Sequence, residues 1–365
     1  MRVIDRYILL KYLTSFIFCL MLFTAIAVVI DISEKTDDFT KSGLSNYQIF
    51  KDYYLGFIPR IDAMLFPLFV FISVIFFTSK MAGRSEIIAI LSSGVNYRRF
   101  MVPYIAGALV LATGLWLGYR YVVPPANKKW GDFSKKYIDV NNGISSQNNS
   151  SYKTNIYFKL DKNNYVGIKG YDTISKTGSN FFLQTFKDNQ LQYNLRSTNF
   201  TWDSAAKKWK LFNVSERFFH ELNETVVNTT DKLISYNFRP IDLRRDDYLK
   251  DQMTTPELND FISREKARGS DTLSTLLVER YNRDAIPASV IILTIIGAVL
   301  ASRKVRGGSG AHIALGVLLS MVYILFSRFS GVFATKGNFT PLLASWTPNI
   351  LFGILAVILY RRASS

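Results

Sequence analysis

Six apolar stretches, each long enough to cross a lipid bilayer as a helix, constrain the fold of this chain more than any other feature. The hydrocarbon core of a bilayer needs about 20 mostly apolar residues in helical form. The stretches run over Tyr7–Ile30, Tyr53–Ser79, Met101–Val123, Ala285–Ala301, His312–Val332 and Pro341–Tyr360. The fourth is short, and Pro287 either kinks it or marks its entry. The sequence therefore predicts an α-helical membrane protein with six transmembrane helices.

Two local features bear on whether the first span is retained and on where the third span ends. Ala25-Ile26-Ala27 resembles a signal-peptidase site, but the apolar stretch continues past it and is too long for the core of a signal peptide. We therefore predict that the first helix is retained. Pro124-Pro125 follows the third stretch and is expected to end it, because proline has no backbone N–H to donate.

The arginine and lysine residues beside the spans predict the orientation in the membrane. On the side of the two termini lie Arg2, Lys80, Arg84, Arg98, Arg99, Arg303, Lys304, Arg306, Arg361 and Arg362. The opposite short loops carry fewer cations, diluted by acids: Lys35, Lys41, Lys51 and Lys336 with Asp31, Glu34, Asp37, Asp38 and Asp52. Short loops rich in arginine and lysine stay in the cytoplasm. Both termini are therefore predicted to be cytoplasmic, and the long middle segment external.

The segment between the third and fourth spans has the alternation typical of β-strands. From Tyr152 to Phe238, apolar and polar residues alternate with a period of two, and turn residues separate the segments. Several short strands at this spacing predict an all-β domain of the sandwich, jelly-roll or open-barrel type. The predicted domains are 1–123 with the first three spans, 124–270 with the β-domain and a trailing helix, and 271–365 with the last three spans.

The aromatic residues of this β-domain allow two interpretations. They form the ordinary core of a solvated, receptor-like domain, or they line an apolar slot between sheets that shelters a lipid tail. Phe182 and Phe212 are the candidate slot residues, because the period-two pattern predicts that both side chains point inward.

Motifs for catalysis and metal binding are missing from the sequence. There is no GxxxxGK[ST] loop, no HExxH and no GxSxG. One cysteine and two histidines exclude an internal disulfide framework and argue against a multi-histidine zinc site, and we expect no cofactor in this chain. The net charge of +16 suits anionic lipid, and because it lies in loops bordering the membrane and over the external domain, no nucleic-acid partner is expected.

A short segment between the second and third spans, Gly83–Gly94, is apolar on one flank but too short to cross a bilayer. Ser85 can cap a helix, Glu86 favours its first turn, and Gly94 suits a left-handed stop. The apolar flank consists of Ile87, Ile88, Ile90 and Leu91. Such a helix lies either in the membrane interface or in a groove of a partner protein.

Several short motifs together resemble the LptF/LptG permease family, also described as the YjgP/YjgQ type. The motifs are Asp5-Arg6-Tyr7-Ile8, Leu65-Phe66-Pro67-Leu68, Gly83-Arg84-Ser85-Glu86-Ile87-Ile88, Ser93-Gly94, Ala285-Ile286-Pro287 and Ala344-Ser345-Trp346-Thr347-Pro348-Asn349-Ile350. They cover essentially the whole chain in order, whereas in the middle domain the resemblance is architectural only. The opening motif and the charges after the first span favour the LptG branch.

The resemblance implies a subunit of an ABC-type transporter in the bacterial inner membrane that extracts lipopolysaccharide and passes it to a periplasmic bridge. Such permeases pair with a second LptF/LptG-like permease, and each carries a periplasmic β-jelly-roll. They bind two copies of a cytoplasmic LptB-like ABC ATPase and meet jelly-roll bridge proteins of the LptC and LptA type. ATP chemistry then belongs to the partner, in agreement with the missing nucleotide-binding loop, and this chain is not expected to be an enzyme.

Residue roles carry over from the resemblance to matching positions only. The Gly83–Gly94 segment would be the coupling helix, residues 84–94, that docks in the ATPase. Its candidate contact residues are Arg84, Glu86, Ile87, Ile90, Leu91 and Gly94.

Four cations near the ends of spans are candidates for binding lipid headgroups. Lys35 and Lys41 resemble the first-span lysines of the LptG branch and would bind lipid A phosphates, although acids are interleaved with them and loop solubility is an equal alternative. Arg120 and Arg328 lie in or beside apolar segments, where an unpaired charge costs about 2.5–3.5 kcal/mol. They should therefore face headgroups, a cavity or a partner.

Two further functions remain open at this point. A mechanotransmitting ABC permease pulls on periplasmic partners without moving lipid, but its usual layout has four spans. A membrane-bound lipid-modifying enzyme, with catalytic residues from separate spans, would turn over substrate as the purified chain without an ATPase or nucleotide.

Overall fold

Among the residues that the structure describes, six helices are long and apolar enough to cross a membrane, in the order that the sequence predicts. They run over Val3–Ser42, Asn46–Gly83, Tyr97–Ile138, Leu273–Ala301, Ile313–Lys336 and Pro341–Ala363. The computed structural model describes residues 3–138, 152–161, 163–172, 175–187, 190–220, 223–236, 238–243, 249–268, 270, 272–302, 309–337 and 339–364. An antiparallel sheet lies between the third and fourth of these helices in the chain, and the predicted fold class is confirmed.

The chain divides into two units. The helical unit contains residues 1–131, 251–255 and 274–365, and the sheet unit contains residues 132–250 and 256–273. The helices are α1 Val3–Ser42, α2 Asn46–Ile49, α3 Leu55–Gly83, α4 Glu86–Ser92, α5 Tyr97–Leu117, α6 Val123–Phe133, α7 Leu249–Gln252, α8 Thr255–Arg268, α9 Leu273–Ala301, α10 Ser309–Lys336 and α11 Pro341–Ser364. A π-helical turn, Phe50–Tyr54, joins α2 to α3, and a 3₁₀ turn, Pro240–Leu243, precedes α7.

Helix α1 extends well beyond its apolar stretch. Its 40 residues rise about 60 Å, roughly twice the hydrocarbon thickness of a bilayer. The charged residues after Ile30 therefore continue the helix, whereas the sequence placed Lys35 and Lys41 in a loop.

The third span does not end at Pro124-Pro125, contrary to the prediction. Helical structure continues from α5 through the π-helical turn Gly118–Val122 into α6 and a last π-helical turn, Ser134–Ile138. A proline leaves the carbonyl four residues earlier without its helical donor. Those carbonyls belong to the first π-helical turn, where the N–H of Val123 instead bonds to Gly118, five residues back. The wider turn thus accommodates both prolines without ending the helix.

The fourth span is one continuous helix through Pro287 and is longer than predicted. Asn349 of α11 connects this fourth span, α9, with α10 and α11 through hydrogen bonds. The Asn349 amide donates to the Ala285 carbonyl at 2.7 Å and accepts from the Tyr323 hydroxyl at 2.9 Å. A buried polar group of this kind must be hydrogen-bonded, so these contacts set how α9, α10 and α11 pack.

The interior of the helical unit is formed mainly by α1, α3, α5 and α9. Buried apolar side chains from all four helices belong to one cluster, including Ile8, Val74, Tyr104 and Val290. Helix α5 approaches α1 closely at Gly107, where an added Cβ would lie 2.4 Å from a ring carbon of Tyr12.

The sheet has six strands, and each pairs antiparallel with the next along the chain. The strands are β1 Tyr152–Lys159, β2 Asn164–Asp172, β3 Thr177–Lys187, β4 Gln190–Asp203, β5 Lys208–His220 and β6 Asn223–Ile234, in the spatial order β1-β2-β3-β4-β5-β6. The turn over 203–206 closes a β-hairpin, since Asp203 pairs with Lys208 and Trp202 with Trp209.

One face of the sheet carries the core of this unit. The cluster includes Ile168, Tyr171, Phe181, Phe200, Trp209, Leu211 and Val214. Phe238, after β6, packs on the same face and accepts a hydrogen bond at its carbonyl from the Trp209 indole N–H at 3.0 Å.

The inward orientation predicted for Phe182 and Phe212 is wrong. Phe181 and Leu211 are buried in the cluster, so their sequence neighbours point to the other face. Phe182 lies over Gly167 there, 6.0 Å from the exposed ring of Tyr157. A one-residue error in register exchanges the two faces of a strand, and both phenylalanines follow another apolar residue.

Helix α8 begins at Thr255, which proline and then Glu257 follow, an order typical of a helix start, and it is described to Arg268. Gly269, whose residue type suits the end of a helix, lies outside the described residues.

Candidate functional site

The predicted coupling segment forms a seven-residue helix, α4, and its two ends behave differently from each other. Gly94 adopts a left-handed conformation, φ +86°, as predicted for a helix stop. Ser85 does not cap the other end: its φ is 59°, and its side chain makes no capping hydrogen bond to α4. A capping residue normally has extended backbone, and the sharp turn from α3 into α4 excludes it here.

The apolar flank of α4 is only partly available to a partner. Ile87, expected on the docking surface, is 1% exposed and packs in the core of the helical unit. Ile90 and Leu91 are half-buried against the same cluster, whereas Ile88 is 52% exposed. Residues one position apart on a helix point in different directions, so packing of Ile87 turns Ile88 outward.

Glu86, at the start of α4, has partners on α1. The Tyr7 hydroxyl donates to Glu86 Oε2 at 2.9 Å, and Lys11 Nζ lies 3.8 Å from the same oxygen. Lys11 also donates to the Tyr7 hydroxyl. Arg84 NH1 lies 3.9 Å from Glu86 Oε1 and is largely exposed. The Glu86 side chain is 26% exposed, so a group outside this chain can still reach its carboxylate.

A second ion pair lies close by and joins α1 to α5. Arg99 donates to the carboxylate of Asp5, which is only 5% exposed. A small cleft beside this pair is lined by Ile4, Asp5, Ile8, Ile90, Val95, Arg99, Phe100 and Pro103. Polar links thus connect α1 with α4 and α5 where the apolar packing is incomplete.

The later part of α1 carries a different cluster, built around Asp31. This carboxylate is 6% exposed and accepts hydrogen bonds from the hydroxyls of Tyr53 at 3.0 Å and Tyr54 at 3.1 Å. Lys35, one turn along α1, lies 2.9 Å from Asp31 and also donates to Tyr53. The carboxylate therefore receives three donors from its own chain.

Aromatic rings complete the surroundings of Lys35. Its ammonium group lies 4.8 Å from the ring centroid of Tyr53 and 6.0 Å from that of Trp130. The Arg60 guanidinium lies 3.9 Å from the same Trp130 ring. Cations over aromatic faces are stabilised by the ring quadrupole. Lys35 and Arg60 thus both lie over the ring of Trp130.

The other candidate headgroup residues do not join this cluster. Lys41 is exposed on the last turn of α1. Arg120 lies over Trp116, 4.9 Å from its ring centroid, and Arg328 is exposed on α10. Of the four candidates, only Lys35 therefore lies between a buried carboxylate and several aromatic rings.

Sequence reasoning missed the residues that hold these charges. Tyr7 and Lys11 are four residues apart, which predicts that both lie on one face of a helix. Nothing in the sequence indicates that this face meets Glu86, or that Asp31 receives two tyrosine hydroxyls. Within the described part of the chain, no three histidine, cysteine or acidic side chains are placed to hold a metal ion. The expectation that this chain carries no cofactor stays a prediction.

Six helices long and apolar enough to cross a membrane, an inserted antiparallel sheet and a short helix after the second span define the architecture of a multi-pass membrane protein. The sequence matches the family described as "Lipopolysaccharide export system permease LptF/LptG" over residues 6–362. The chain belongs to this family, which consists of transport permeases and not of enzymes.

Two curated relatives are similar over their whole length. Both are described as "Lipopolysaccharide export system permease protein LptG", from Escherichia coli strain K12 and from Escherichia coli O6:H1. Each is 19% identical to this chain over 367 residues, covering 99% of both sequences.

Proposed function

We propose that this chain is the transmembrane permease subunit of an ABC-type transporter that exports lipopolysaccharide from the inner membrane. The observation that carries the proposal is the family match over residues 6–362, which spans all six helices and the sheet. The similarity to proteins described as LptG favours the LptG-like branch.

Helix α4 is the element proposed to couple transport to ATP hydrolysis. Its exposed surface presents Ile88 together with the 26% exposed carboxylate of Glu86. A cytoplasmic LptB-like ATPase dimer would contribute a groove for the isoleucine and an arginine or backbone N–H groups for Glu86. Charge-assisted contacts of this kind fix direction, whereas apolar burial alone does not.

The proposed orientation places both termini and α4 in the cytoplasm and the sheet unit in the periplasm. It rests on the excess of arginine and lysine in the connections on the side of the termini.

The proposed protein partners are those that the family resemblance implies, and exposed surfaces of this chain offer places for them. The first and fifth spans are the least buried, with 11% and 22% of their apolar windows inside this chain. We assign these surfaces to a second LptF/LptG-like permease and to lipid. The sheet, with strand edges at β1 and β6, would pass the lipid to jelly-roll bridge proteins of the LptC and LptA type.

The candidate headgroup residues differ in whether they already form an ion pair within this chain. Lys41, Arg120 and Arg328 can meet lipid phosphates, because none of the three forms an ion pair with another residue that the structure describes. Lys35 is 2.9 Å from Asp31 and would bind a phosphate only by sharing or exchanging that carboxylate.

Co-purification followed by reconstitution tests the proposal. A tagged chain should co-purify with an ABC ATPase and a second related permease, and proteoliposomes of the complex should release lipopolysaccharide only with ATP and Mg²⁺. Turnover of a lipid by the purified chain without ATPase would replace the proposal with an enzymatic function.

A labelling experiment tests the orientation. Ser204 is exposed in the turn between β4 and β5, so Ser204→Cys in a Cys19→Ala background should react with a membrane-impermeant thiol reagent from the periplasm. Reaction only after the inner membrane is permeabilised would reverse the proposed orientation.

A further inference from the structure

The link between α1 and α4 is the feature from which this inference starts. Glu86 is the carboxylate proposed to meet the ATPase, and its partners in this chain, Tyr7 and Lys11, lie on the first three turns of α1. Lys11 is doubly engaged, because it donates to the Tyr7 hydroxyl and lies 4.2 Å from the centroid of the Tyr7 ring. The three side chains thus form one connected group.

Apolar packing contributes less to this link than it does elsewhere in the unit. The cleft beside α4 opens between Ile4 and Ile8 of α1, Ile90 of α4, and Phe100 of α5. Ile87 packs in the common core, but the outer turns of α1 reach α4 through the Glu86 group. The Asp5–Arg99 pair adds a second polar attachment, from α1 to α5.

Helix α1 can carry a displacement over a long distance. It is continuous from Val3 to Ser42, and Asp31 follows Tyr7 by about 36 Å of helix rise. Beyond that point lie Lys35 and the aromatic residues around it. A shift applied at Tyr7 would therefore reach the cluster around Asp31 without an intervening loop.

We propose that Tyr7 and Lys11 are positioning residues that tie α1 to α4 through Glu86, so that movement of α4 is delivered directly to the first span. The inference rests on the proposed function, since it assigns a transmission route to the proposed coupling helix. Glu86 then has two roles: one carboxylate oxygen accepts from Tyr7 of its own chain, and the exposed remainder meets a cation of the ATPase.

The test separates transmission from docking, using the full complex in proteoliposomes. Tyr7→Phe removes the hydroxyl donor, and Lys11→Met removes the ammonium group while keeping the length of the side chain. Both variants should keep ATPase co-purification and ATP hydrolysis, but lipopolysaccharide released per ATP should fall by about five-fold or more, the lower range of coupling between sites. Lys11→Arg keeps the positive charge, so it should retain most of the wild-type ratio of lipopolysaccharide released to ATP hydrolysed.

Matched controls use side chains of the same type elsewhere in the helical unit. Tyr47 is 72% exposed on α2, and Lys80 is exposed at the end of α3. Tyr47→Phe and Lys80→Met should both leave the ratio of lipid released to ATP hydrolysed unchanged.

Three results would overturn the inference. The first is an unchanged ratio in the Tyr7→Phe, Lys11→Met double variant. The second is a parallel fall of ATPase co-purification and release, which would assign the two residues to docking. The third is failure of Lys11→Arg to restore a ratio lost in Lys11→Met. Absence of an ATPase from the wild-type complex would instead contradict the proposed function, so the two failures are distinguishable.

A distance measurement provides an independent check. Spin labels at Leu10 on α1 and Ser93 after α4, both exposed, report whether the two helices move together. In a Cys19→Ala background, the distance between the labels should be the same with and without a trapped nucleotide, and it should become nucleotide-dependent in Tyr7→Phe. A nucleotide-dependent distance with Tyr7 intact would contradict the tie.

Discussion

The early and late turns of α1 hold a carboxylate in opposite ways. Glu86 meets the first turns through Tyr7 and Lys11 and keeps 26% of its side chain exposed. Asp31, on the later turns, is 6% exposed and receives Tyr53, Tyr54 and Lys35.

The difference determines what each group can do. The Glu86 carboxylate is partly exposed, so a donor from outside the chain can join the contacts that it already makes. Removing one donor from a buried carboxylate costs free energy, because water cannot reach the charge to replace the lost hydrogen bond. We infer that the Glu86 cluster can admit a partner from outside the chain while it keeps its contacts with α1, and that the Asp31 cluster is fixed.

Reversing the charge of Glu86 should have the largest effect. Glu86→Lys places a cation beside Lys11 and Arg84 and against the cation expected on the ATPase, so ATPase association should weaken by about 30-fold or more and lipopolysaccharide release should stop. Glu86→Gln can still accept from Tyr7, and Glu86→Ala cannot. Co-purification and release assays on the three variants rank these contributions.

Glu34 provides a charge-matched control. It is exposed on α1, and Glu34→Lys should leave ATPase association intact. Wild-type association in Glu86→Lys would show that this carboxylate is only a favourable first-turn acid, worth about 0.3–1 kcal/mol.

Removing the charge at Asp31 should destabilise the helical unit while leaving ATPase docking intact. Asp31→Asn keeps one acceptor oxygen but leaves Lys35 without its carboxylate. Hydrogen bonds to charged groups contribute about 1.5–3 kcal/mol each, so thermal unfolding of the detergent-purified complex should occur several degrees lower.

The exposed neighbour Asp37 provides the control, and Asp37→Asn should unfold like the wild type. If Asp31→Asn melted at the wild-type temperature, the donors around Asp31 would be exchangeable, and the contrast between the early and late turns of α1 would disappear.

The sheet unit contains an intermediate case, Glu216. The carboxylate is 7% exposed and accepts from Lys232 at 2.7 Å and 2.8 Å, and from the Tyr193 hydroxyl. Burial works against ionisation, but the hydrogen bonds from Lys232 and Tyr193 outweigh it and lower the pKa of Glu216 below its ordinary value of 4.5. Lys232 is 40% exposed, so solvent screens the pair.

Glu216→Gln should therefore cost the sheet about 1–2 kcal/mol near neutral pH. A group whose pKa is lowered on folding stabilises the folded state above its unfolded pKa, and this contribution is lost as pH falls through the folded pKa. The cost of the substitution should accordingly shrink below the ordinary pKa of 4.5. Hydrogen exchange of β4–β6 peptides in the full chain measures this stability cost at each pH. A cost that did not change with pH would refute the assignment of Glu216 as an ionised carboxylate paired with Lys232.

The sequence predicted the helices better than the faces of the strands. A run of about 20 apolar residues indicates a span whatever its neighbours, because every backbone group must be paired within the segment. The faces of β3 and β5 depend on a period of two, and the apolar pairs Phe181-Phe182 and Leu211-Phe212 fit either face. Burial of the first residue in each pair settled the choice.

The candidate site was predicted as a set of residues, but the contacts between them were not. Glu86 and Lys35 were identified from local patterns. Their partners, Tyr7 and Asp31, are charged or polar residues of α1 whose contacts depend on which helices pack together. Charge and hydropathy predict how deep in the membrane a residue lies, but they do not predict which side chain of another helix it contacts.

The smallest effect is expected at Asp203, a solvent-facing carboxylate beside the turn between β4 and β5. It accepts the backbone N–H groups of Ala205 at 2.9 Å and Ala206 at 3.0 Å, and these bonds lower the pKa of Asp203. Asp203→Asn retains an acceptor, whereas Asp203→Ala leaves both N–H groups to water. Tryptic cleavage after Lys207, next to the turn, should therefore be faster in Asp203→Ala and unchanged in Asp203→Asn. Equal acceleration in both variants would mean that the charge itself holds the turn, and a solvent-facing carboxylate would then behave like the buried Asp31.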